Sequence, residues 1–221
     1  MKSERIFVIG DVHGCLDTLK RLMDKIDWQP GKDRLIFLGD YIDRGEDPKG
    51  VVDFILALMR CSTEIECLIG NHEAMLLDYL TGRDKGLFLL NGGWSTMASY
   101  KADKPEGGNT LVPPDHMAFY HSLKTYIEID DYYIVHAGFR PNVELEKQSL
   151  EDMVWIRDPF IYSNHDFGKN VIFGHTPFQE PLVMENKVGL DTGAVFDNML
   201  TCLELPEFRF HSVKAETNRI V

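Results

Sequence analysis

The chain has 221 residues, of which 44% are hydrophobic and 26% charged, and its formal net charge is −12. This composition predicts one globular domain spanning residues 1–221 and argues against disordered and fibrous classes. The acidic charge disfavours general affinity for nucleic acid or for anionic membranes, because both attract basic surfaces.

Segment lengths and cysteine spacing favour a cytoplasmic protein. No segment reaches the roughly 20 apolar residues that a membrane span needs, and the apolar run at residues 6–9 is too short for the core of a secretion signal. The four cysteines, Cys15, Cys61, Cys67 and Cys202, lack CxxC spacing. We therefore expect a reducing, cytoplasmic environment without disulfides.

The first third of the chain alternates between strand and helix patterns. Short apolar runs predict strands at residues 5–10, 34–38 and 65–69. Apolar residues at helical spacing predict helices at residues 16–26, 51–59 and 73–80. This alternation predicts βαβ units and a largely parallel sheet.

The middle of the chain is rich in glycine and proline. It predicts loops at residues 91–93, 101–109 and 113–114, with short helices at 94–100 and 115–122. We expect Trp94 and Tyr100 to pack within this region rather than to contact a substrate.

From Tyr126 onward the pattern favours strands. These are predicted at residues 132–135, 171–173, 182–184, 188–190 and 200–205, with a hairpin turn at Asn186. The simplest arrangement is a second, more antiparallel sheet packed on the first. The fold class is therefore α/β, with two packed, mainly mixed β-sheets flanked by helices.

Five short polar clusters stand at the ends of apolar runs. They occupy residues 10–14, 39–45, 70–73, 136–138 and 174–176. Ligands of parallel sheets bind beyond the carboxyl ends of the strands, so folding is expected to gather these clusters into one site.

The side chains in these clusters are the types that hold two divalent metal ions side by side. Asp11 and His13 are candidate ligands of one ion, Asp40 is placed to bridge both ions, and the second ion's remaining candidates are Asn71, His136 and His175. Mixed nitrogen and oxygen ligands suit Mn²⁺, Fe or Zn²⁺ better than a site made of oxygen alone would.

The charge balance of such a centre favours a phosphate substrate. Two divalent ions less the charges of Asp11 and Asp40 leave about +2, which matches a phosphate dianion. A water that the two ions activate is the expected nucleophile at phosphorus.

Four further residues are candidates for catalysis. Arg44 and Arg157 offer guanidinium groups for the phosphate oxygens. His72 is the candidate general acid for the leaving oxygen, and Asp43 is expected to orient its imidazole.

Together with segments 90–94, 173–177 and 191–196, the clusters resemble the phosphoprotein phosphatase family of calcineurin-like metallophosphoesterases, from about residue 5 to residue 204. The resemblance implies a four-layer α/β/β/α sandwich and a pair of divalent ions, typically Mn²⁺. It also implies the same roles residue by residue: metal ligation by Asp11, His13, Asp40, Asn71, His136 and His175, and catalysis by His72, Asp43, Arg44 and Arg157.

The expected function is hydrolysis of phosphate monoesters, as a serine/threonine protein phosphatase acting on phosphoproteins or phosphopeptides. The alternative is a symmetrical diadenosine tetraphosphate hydrolase, since such enzymes share the clusters. Residues 90–114 are the discriminating region. A base-stacking pocket there would favour nucleotides, and an open shallow groove would favour phosphoproteins.

Two other hypotheses are weaker. Cys15 and Arg21 have the Cys-x5-Arg spacing of cysteine-dependent phosphatases, but the residues between them lack glycine and continue a helical stripe. A non-catalytic binding module on the same fold would be expected to lose ligands, whereas this chain keeps them. The remaining histidines and Asp191 are interpreted as structural or surface residues.

Overall fold

The computed structural model describes residues 5–84, 86–103 and 110–216. Its strands among these residues are β1 (Ile6–Ile9), β2 (Arg34–Phe37), β3 (Ile65–Cys67), β4 (Tyr126–Ile129), β5 (Tyr132–Val135), β6 (Asn170–Phe173), β7 (Leu182–Val183), β8 (Lys187–Gly189), β9 (Met199–Leu205) and β10 (Arg209–Lys214). They form two five-stranded sheets.

The first sheet has the strand order β10-β9-β1-β2-β3. The predicted parallel pairing of β1, β2 and β3 is confirmed, and β9 and β10 extend this sheet in the antiparallel sense. The placement of residues 200–205 in the second sheet is therefore wrong. An apolar run identifies a buried strand but carries no information about which sheet it joins. The edge strand β10 was not predicted, because its residues are half-exposed and largely polar.

The second sheet has the order β4-β5-β6-β8-β7. Its outer pairs are antiparallel, but β6 lies parallel to both β5 and β8. It is thus no more antiparallel than the first sheet. The segment between β5 and β6 contains helices, which allow the crossover that parallel strands require. The hairpin at Asn186 is confirmed, with Met184 donating its backbone N–H to Lys187.

The helices are α1 (Leu16–Lys25), α2 (Pro48–Cys61), α3 (Asn71–Thr81), α4 (Gly86–Phe88), α5 (Trp94–Ala102), α6 (Pro114–Ser122), α7 (Leu150–Trp155) and α8 (Asp158–Ile161). The predicted helices are present, and α4, α7 and α8 are additions. The loop predicted at residues 91–93 is a kink in helical chain: Leu89–Gly93 joins α4 to α5, and Gly92 has a non-helical φ of 102°. Of the loop predicted at 101–109, residues 101 and 102 end α5, and 104–109 lie outside the described residues.

Three apolar clusters define the layers. The middle one joins the facing sides of the sheets, for example Val8 and Ile36 with Ile134 and Ile172. The others cover the outer face of each sheet with α1, α2 and their neighbours on one side and with α7 and α8 on the other. The four-layer sandwich is therefore confirmed. Among the described helices, none combines the length and apolar character that a bilayer crossing requires.

Candidate active site

The five polar clusters meet at one edge of the sandwich. The clusters follow β1, β2 and β3 of the first sheet and β5 and β6 of the second. The six predicted metal ligands, Asp11, His13, Asp40, Asn71, His136 and His175, are each 5% exposed or less. Two groups have ligand atoms within 4.8 Å of one another: His13, Asp40 and His72, and Asp40, His136 and His175. Asp40 belongs to both, as a bridging carboxylate must.

The imidazole of His13 is fixed by its backbone surroundings. Its Nδ1 donates to the carbonyl oxygen of Ile42 at 2.9 Å, which leaves Nε2 as the nitrogen with a free lone pair. That Nε2 lies 3.4 Å from Oδ2 of Asp40. The geometry suits a cation between nitrogen and carboxylate.

The second group brings three acceptor atoms close together. His136 donates Nδ1–H to the carbonyl oxygen of Leu38, so its Nε2 carries the lone pair. This Nε2 lies 3.1 Å from Oδ1 of Asn71, and the same oxygen lies 2.9 Å from Nδ1 of His175. Burial lowers the pKa of His136, so its imidazole is neutral. A neutral acceptor nitrogen beside an amide oxygen fits a cation that both can bind.

Three buried atoms in this site have no hydrogen-bond partner among the described residues: Asp11 Oδ1, His72 Nε2 and His175 Nε2. Buried polar atoms are normally paired, so these point to a bound group. Asp11 Oδ2 is held by the backbone N–H of His175 at 3.0 Å. A Cβ at Gly174 would lie 2.1 Å from Asp11 Oδ1, so only glycine fits beside that carboxylate. The residues present therefore fit a pair of divalent ions.

The pKa shifts of the carboxyl and imidazole groups in the site also favour bound cations. Burial, together with Asp191 and Asp40, raises the pKa of Asp11 well above its usual range, so its ionised form calls for a nearby cation. Burial lowers the pKa of His13 to about 3 and that of His175 to about 2. Neutral imidazoles are the form that binds metal. At Asp40 burial raises the pKa and only positive charge on the facing imidazoles would lower it, so with those imidazoles neutral the ionised carboxylate also calls for a nearby cation.

A chain of buried hydrogen bonds orients the imidazole of His72. Its Nδ1 lies 2.5 Å from Oδ2 of Asp43, the predicted pairing. Oδ1 of Asp43 accepts from the hydroxyl of Thr96 at 2.6 Å, and the same hydroxyl accepts the backbone N–H of Asp43 at 2.9 Å. With Nδ1 engaged by Asp43, the imidazole presents Nε2 to the site. Thr96 was not predicted, because it lies on α5 far from the clusters in sequence.

Glu73 fixes the loop that carries Asp40. Its carboxylate is fully buried and accepts the backbone N–H groups of Asp40 and Tyr41, each at 2.9 Å, and of Gly70 at 3.1 Å. Sequence reasoning placed Glu73 in a cluster but gave it no role.

The backbone is strained where these side chains converge. Of the eight non-glycine residues with positive φ among the described residues, five are predicted site residues: His13, Asp40, Asp43, Arg44 and His175. Such conformations cost about 1–3 kcal/mol each and persist where surrounding structure holds them.

The two predicted arginines lie at the mouth of the site. Arg44 donates from Nη1 to His13 Nε2 at 2.9 Å, and its backbone N–H donates to Gly92. The guanidinium therefore blocks the nitrogen that would face an ion, and it must turn away for His13 to bind one. Arg157 is exposed, and its Nη1 lies 3.4 Å from Oγ1 of Thr176.

The aromatic residues near the site differ in how far they are buried. Tyr100 is buried and bonded to His116 and Tyr120, as expected for packing. Trp94 does not pack, because its side chain is 67% exposed at the start of α5. The ring of Trp155, which sequence reasoning left without a role, lies 5.8 Å from that of His175, edge to face.

The cysteine mechanism has no support in the geometry. The residues that follow Cys15 form α1, so no loop of backbone N–H groups surrounds its sulfur. Burial raises the pKa of the Cys15 thiol to about 12, which keeps it protonated. Asp191, expected to hold a turn near His175, accepts the backbone N–H of Gly193 at 2.9 Å.

The chain matches one family model and several known proteins. Residues 4–200 match the family model described as calcineurin-like phosphoesterase. Two curated relatives named as asymmetrical bis(5'-nucleosyl)-tetraphosphatase PrpE come from Bacillus thuringiensis and Anoxybacillus flavithermus, with 28% and 29% identity. Each alignment covers 93% of this chain and 92% of the relative.

Solved structures share the fold. A candidate diadenosine tetraphosphatase has a TM-score of 0.76 at 20% identity and covers 98% of this chain and 96% of its own. A cold-active protein-tyrosine phosphatase of a psychrophilic Shewanella has a TM-score of 0.73 at 20% identity, covering 96% and 80%. A protein serine/threonine phosphatase from Saccharomyces cerevisiae has a TM-score of 0.64 at 15% identity, covering 99% and 82%.

Proposed function

The chain belongs to the calcineurin-like phosphoesterase family, and from this premise we propose that it hydrolyses dinucleoside polyphosphates such as diadenosine tetraphosphate by asymmetrical cleavage. Water adds across one P–O–P bond, and the products are a nucleoside triphosphate and a nucleoside monophosphate. The observation that carries the proposed phosphoryl chemistry is that Asp40 lies in two groups of buried ligand-type side chains.

The ligand sets proposed for the two divalent ions differ from the two groups in one residue each: Asp11 replaces His72, whose Nδ1 is engaged by Asp43, and Asn71 joins the second group. Asp11, His13 and Asp40 would hold one ion, and Asp40, Asn71, His136 and His175 would hold the other. Mn²⁺, Fe and Zn²⁺ all suit this donor set. When bound, such ions neutralise phosphate charge and lower the pKa of water.

His72 is proposed as the general acid. Asp43 accepts the Nδ1–H of His72, so a proton on Nε2 can pass to the leaving oxygen as its bond to phosphorus breaks. A phosphate leaving group is far less basic than the alkoxide of serine. The proposed substrate therefore needs this proton less than a phosphoserine would.

Arg44 and Arg157 are proposed to bind the phosphate oxygens. Arg44 reaches the edge of the buried site through His13, and Arg157 lies beside the cluster that carries His175. A guanidinium can donate two parallel hydrogen bonds to a phosphate, which suits both residues to a chain of phosphates.

The choice of substrate rests on the curated relatives. They align over nearly the whole chain and are named as asymmetrical tetraphosphatases. The expectation of a serine/threonine protein phosphatase has less support, because the protein phosphatases above are 20% identical or less and share the fold alone. The alternative from the sequence was symmetrical cleavage of diadenosine tetraphosphate. We propose asymmetrical cleavage instead, because these relatives are named as asymmetrical tetraphosphatases.

A rate comparison tests the proposal. The purified chain with added Mn²⁺ is given diadenosine tetraphosphate, a phosphoserine peptide and a phosphotyrosine peptide, and products are separated by ion exchange. We expect kcat/KM for the dinucleotide to exceed both peptides by at least about 10-fold, which corresponds to about 1.4 kcal/mol. We expect ATP and AMP as products. Faster peptide hydrolysis would overturn the proposed substrate class, and ADP alone would overturn asymmetrical cleavage.

A further inference from the structure

Phe196 presents an aromatic ring to solvent beside the site. Its side chain is 57% exposed, although it lies in a rigid turn. The backbone N–H of Phe196 donates to Gly193 at 2.9 Å, and the flanking Gly193 and Asp197 have φ of 68° and 64°. The turn therefore fixes the backbone from which the side chain projects, and the ring itself is exposed.

Arg44 connects this ring to the buried site. Its guanidinium carbon lies 5.6 Å from the centre of the Phe196 ring, and its Nη1 donates to His13. The bond to His13 must break when an ion binds there, and the contact with Phe196 then leaves the guanidinium between the buried site and the exposed ring. In a nucleotide, a single ribose separates the phosphate from the base. A nucleotide whose phosphate binds Arg44 would have its base close to Phe196.

Phe196 also forms one wall of a groove of about 710 Å³, a volume within the usual range of ligand pockets. Pro177 and Met199 contribute apolar surface, and Gln179 and Asn198 contribute amide groups. Asn198 donates from Nδ2 to the carbonyl oxygen of Gln179 at 3.0 Å, and this bond joins the two chain segments that line the groove.

The chemistry of this lining suits a nucleobase better than phosphate. Side-chain amides can pair with the donor and acceptor groups on the edge of a base. The described lining includes the carboxyl groups of Glu180 and Asp197 and no lysine or arginine, so it would repel a phosphate chain. The phosphates are then directed to Arg44, and the uncharged base to the groove.

We infer that this groove binds one nucleobase of the substrate and that Phe196 is its stacking platform. The inference rests on the proposed function and specifies where a nucleoside of that substrate lies. Stacking of a base on an aromatic side chain contributes about 1–3 kcal/mol.

The test compares two substrates that differ in whether they contain a base. Diadenosine tetraphosphate and p-nitrophenyl phosphate are assayed with Mn²⁺ on the full chain and on Phe196→Ala, Phe196→Tyr and Phe208→Ala. Phe208 is a matched control, because it is 39% exposed but packs on Phe210 at the turn between β9 and β10.

We expect Phe196→Ala to lower the ratio of kcat/KM for the dinucleotide to that for p-nitrophenyl phosphate by about 10-fold, mainly through KM. Phe196→Tyr keeps an aromatic face and Phe208→Ala lies elsewhere, so both should hold the ratio within about twofold of the wild type.

An unchanged ratio in Phe196→Ala, with a wild type that cleaves the dinucleotide, would overturn the nucleobase site alone. Equal losses on both substrates would also overturn it, because Phe196 would then act only through Arg44. A wild type that hydrolyses p-nitrophenyl phosphate but leaves the dinucleotide intact would overturn the proposed function and the nucleobase site with it.

Discussion

The floor of the site and its rim are built in opposite ways. The floor comprises the six proposed metal ligands and His72, all of them buried and most of them hydrogen-bonded to backbone groups. The rim comprises Arg157, Phe196 and the segment 90–94, which adjoins Arg44 through the bond from the Arg44 backbone N–H to Gly92. The side chains of Leu90, Trp94, Arg157 and Phe196 are exposed.

We interpret the buried floor as the part that performs the reaction and the exposed rim as the part that selects the substrate. A buried floor fixes which bond is broken, because its charges and lone pairs are set by the fold. An exposed rim can change without disturbing that floor, and it is the part that meets the rest of the substrate. Solved proteins of the same fold bear the names of a tetraphosphatase, a tyrosine phosphatase and a serine/threonine phosphatase.

The largest expected effect comes from the centre of the floor. Asp40→Asn removes a charge that lies in both ligand groups. We expect the bound Mn²⁺ per chain, measured by plasma mass spectrometry, to fall from two to one or fewer. The loss of several kcal/mol of charge stabilisation corresponds to a fall in kcat of more than about 10³-fold. A variant that retained two tightly bound ions would contradict the bridging role.

His72→Asn comes next. It removes the proposed general acid but none of the proposed metal ligands, so we expect kcat to fall by roughly 10²–10⁴-fold while the metal content stays unchanged. The loss should be greater on phenyl phosphate than on p-nitrophenyl phosphate, because the more basic leaving group depends more on the proton. Unchanged turnover would remove His72 from the mechanism.

Thr96 lies behind the floor, and its substitution tests whether Asp43 needs the hydrogen bond from the Thr96 hydroxyl. Thr96→Val keeps the shape and removes the hydroxyl that bonds Asp43. Loss of such a supporting bond is expected to reduce kcat by about 10-fold without changing metal content. Thr96→Ser keeps the hydroxyl and is the matched control. If valine and serine behaved alike, the hydroxyl would have no positioning role.

The smallest effect is expected at the rim. Trp94→Ala alters a side chain that is 67% exposed. A surface change of this kind shifts stability by about 0.5 kcal/mol or less, and we expect turnover of p-nitrophenyl phosphate to change by less than about twofold. A tenfold loss in that assay would show that the rim takes part in the chemistry, and the contrast with the floor would fail.

The sequence predicts the floor better than the rim for a physical reason. Asp11, Asp40 and Asn71 each follow a strand of a parallel sheet, and strand ends converge whatever the details of packing. Thr96 and Glu73 act through contacts that join separate elements, and no local pattern marks such contacts. Trp94 was expected inside because its ring is apolar, but local composition cannot tell a packed ring from an exposed one at a site's mouth.

Local sequence patterns are also insufficient to predict the order of strands in the sheets. The alternation in residues 5–81 indicates parallel neighbours, since each strand is followed by a helix that returns the chain. Residues 199–205 have no such context, and their pairing with β1 depends on contacts nearly 200 residues away in sequence. Eight of the ten described strands were thus predicted, without β4 and β10, but the sheet that residues 199–205 join was predicted wrongly.

The central claim is that the floor holds two divalent ions that share Asp40. Anomalous scattering from a crystal of the full chain grown with Mn²⁺ tests it directly. The account predicts two peaks, one against Asp11, His13 and Asp40 and the other against Asp40, Asn71, His136 and His175. A single peak, or peaks that leave Asp40 without contact to both, would contradict it.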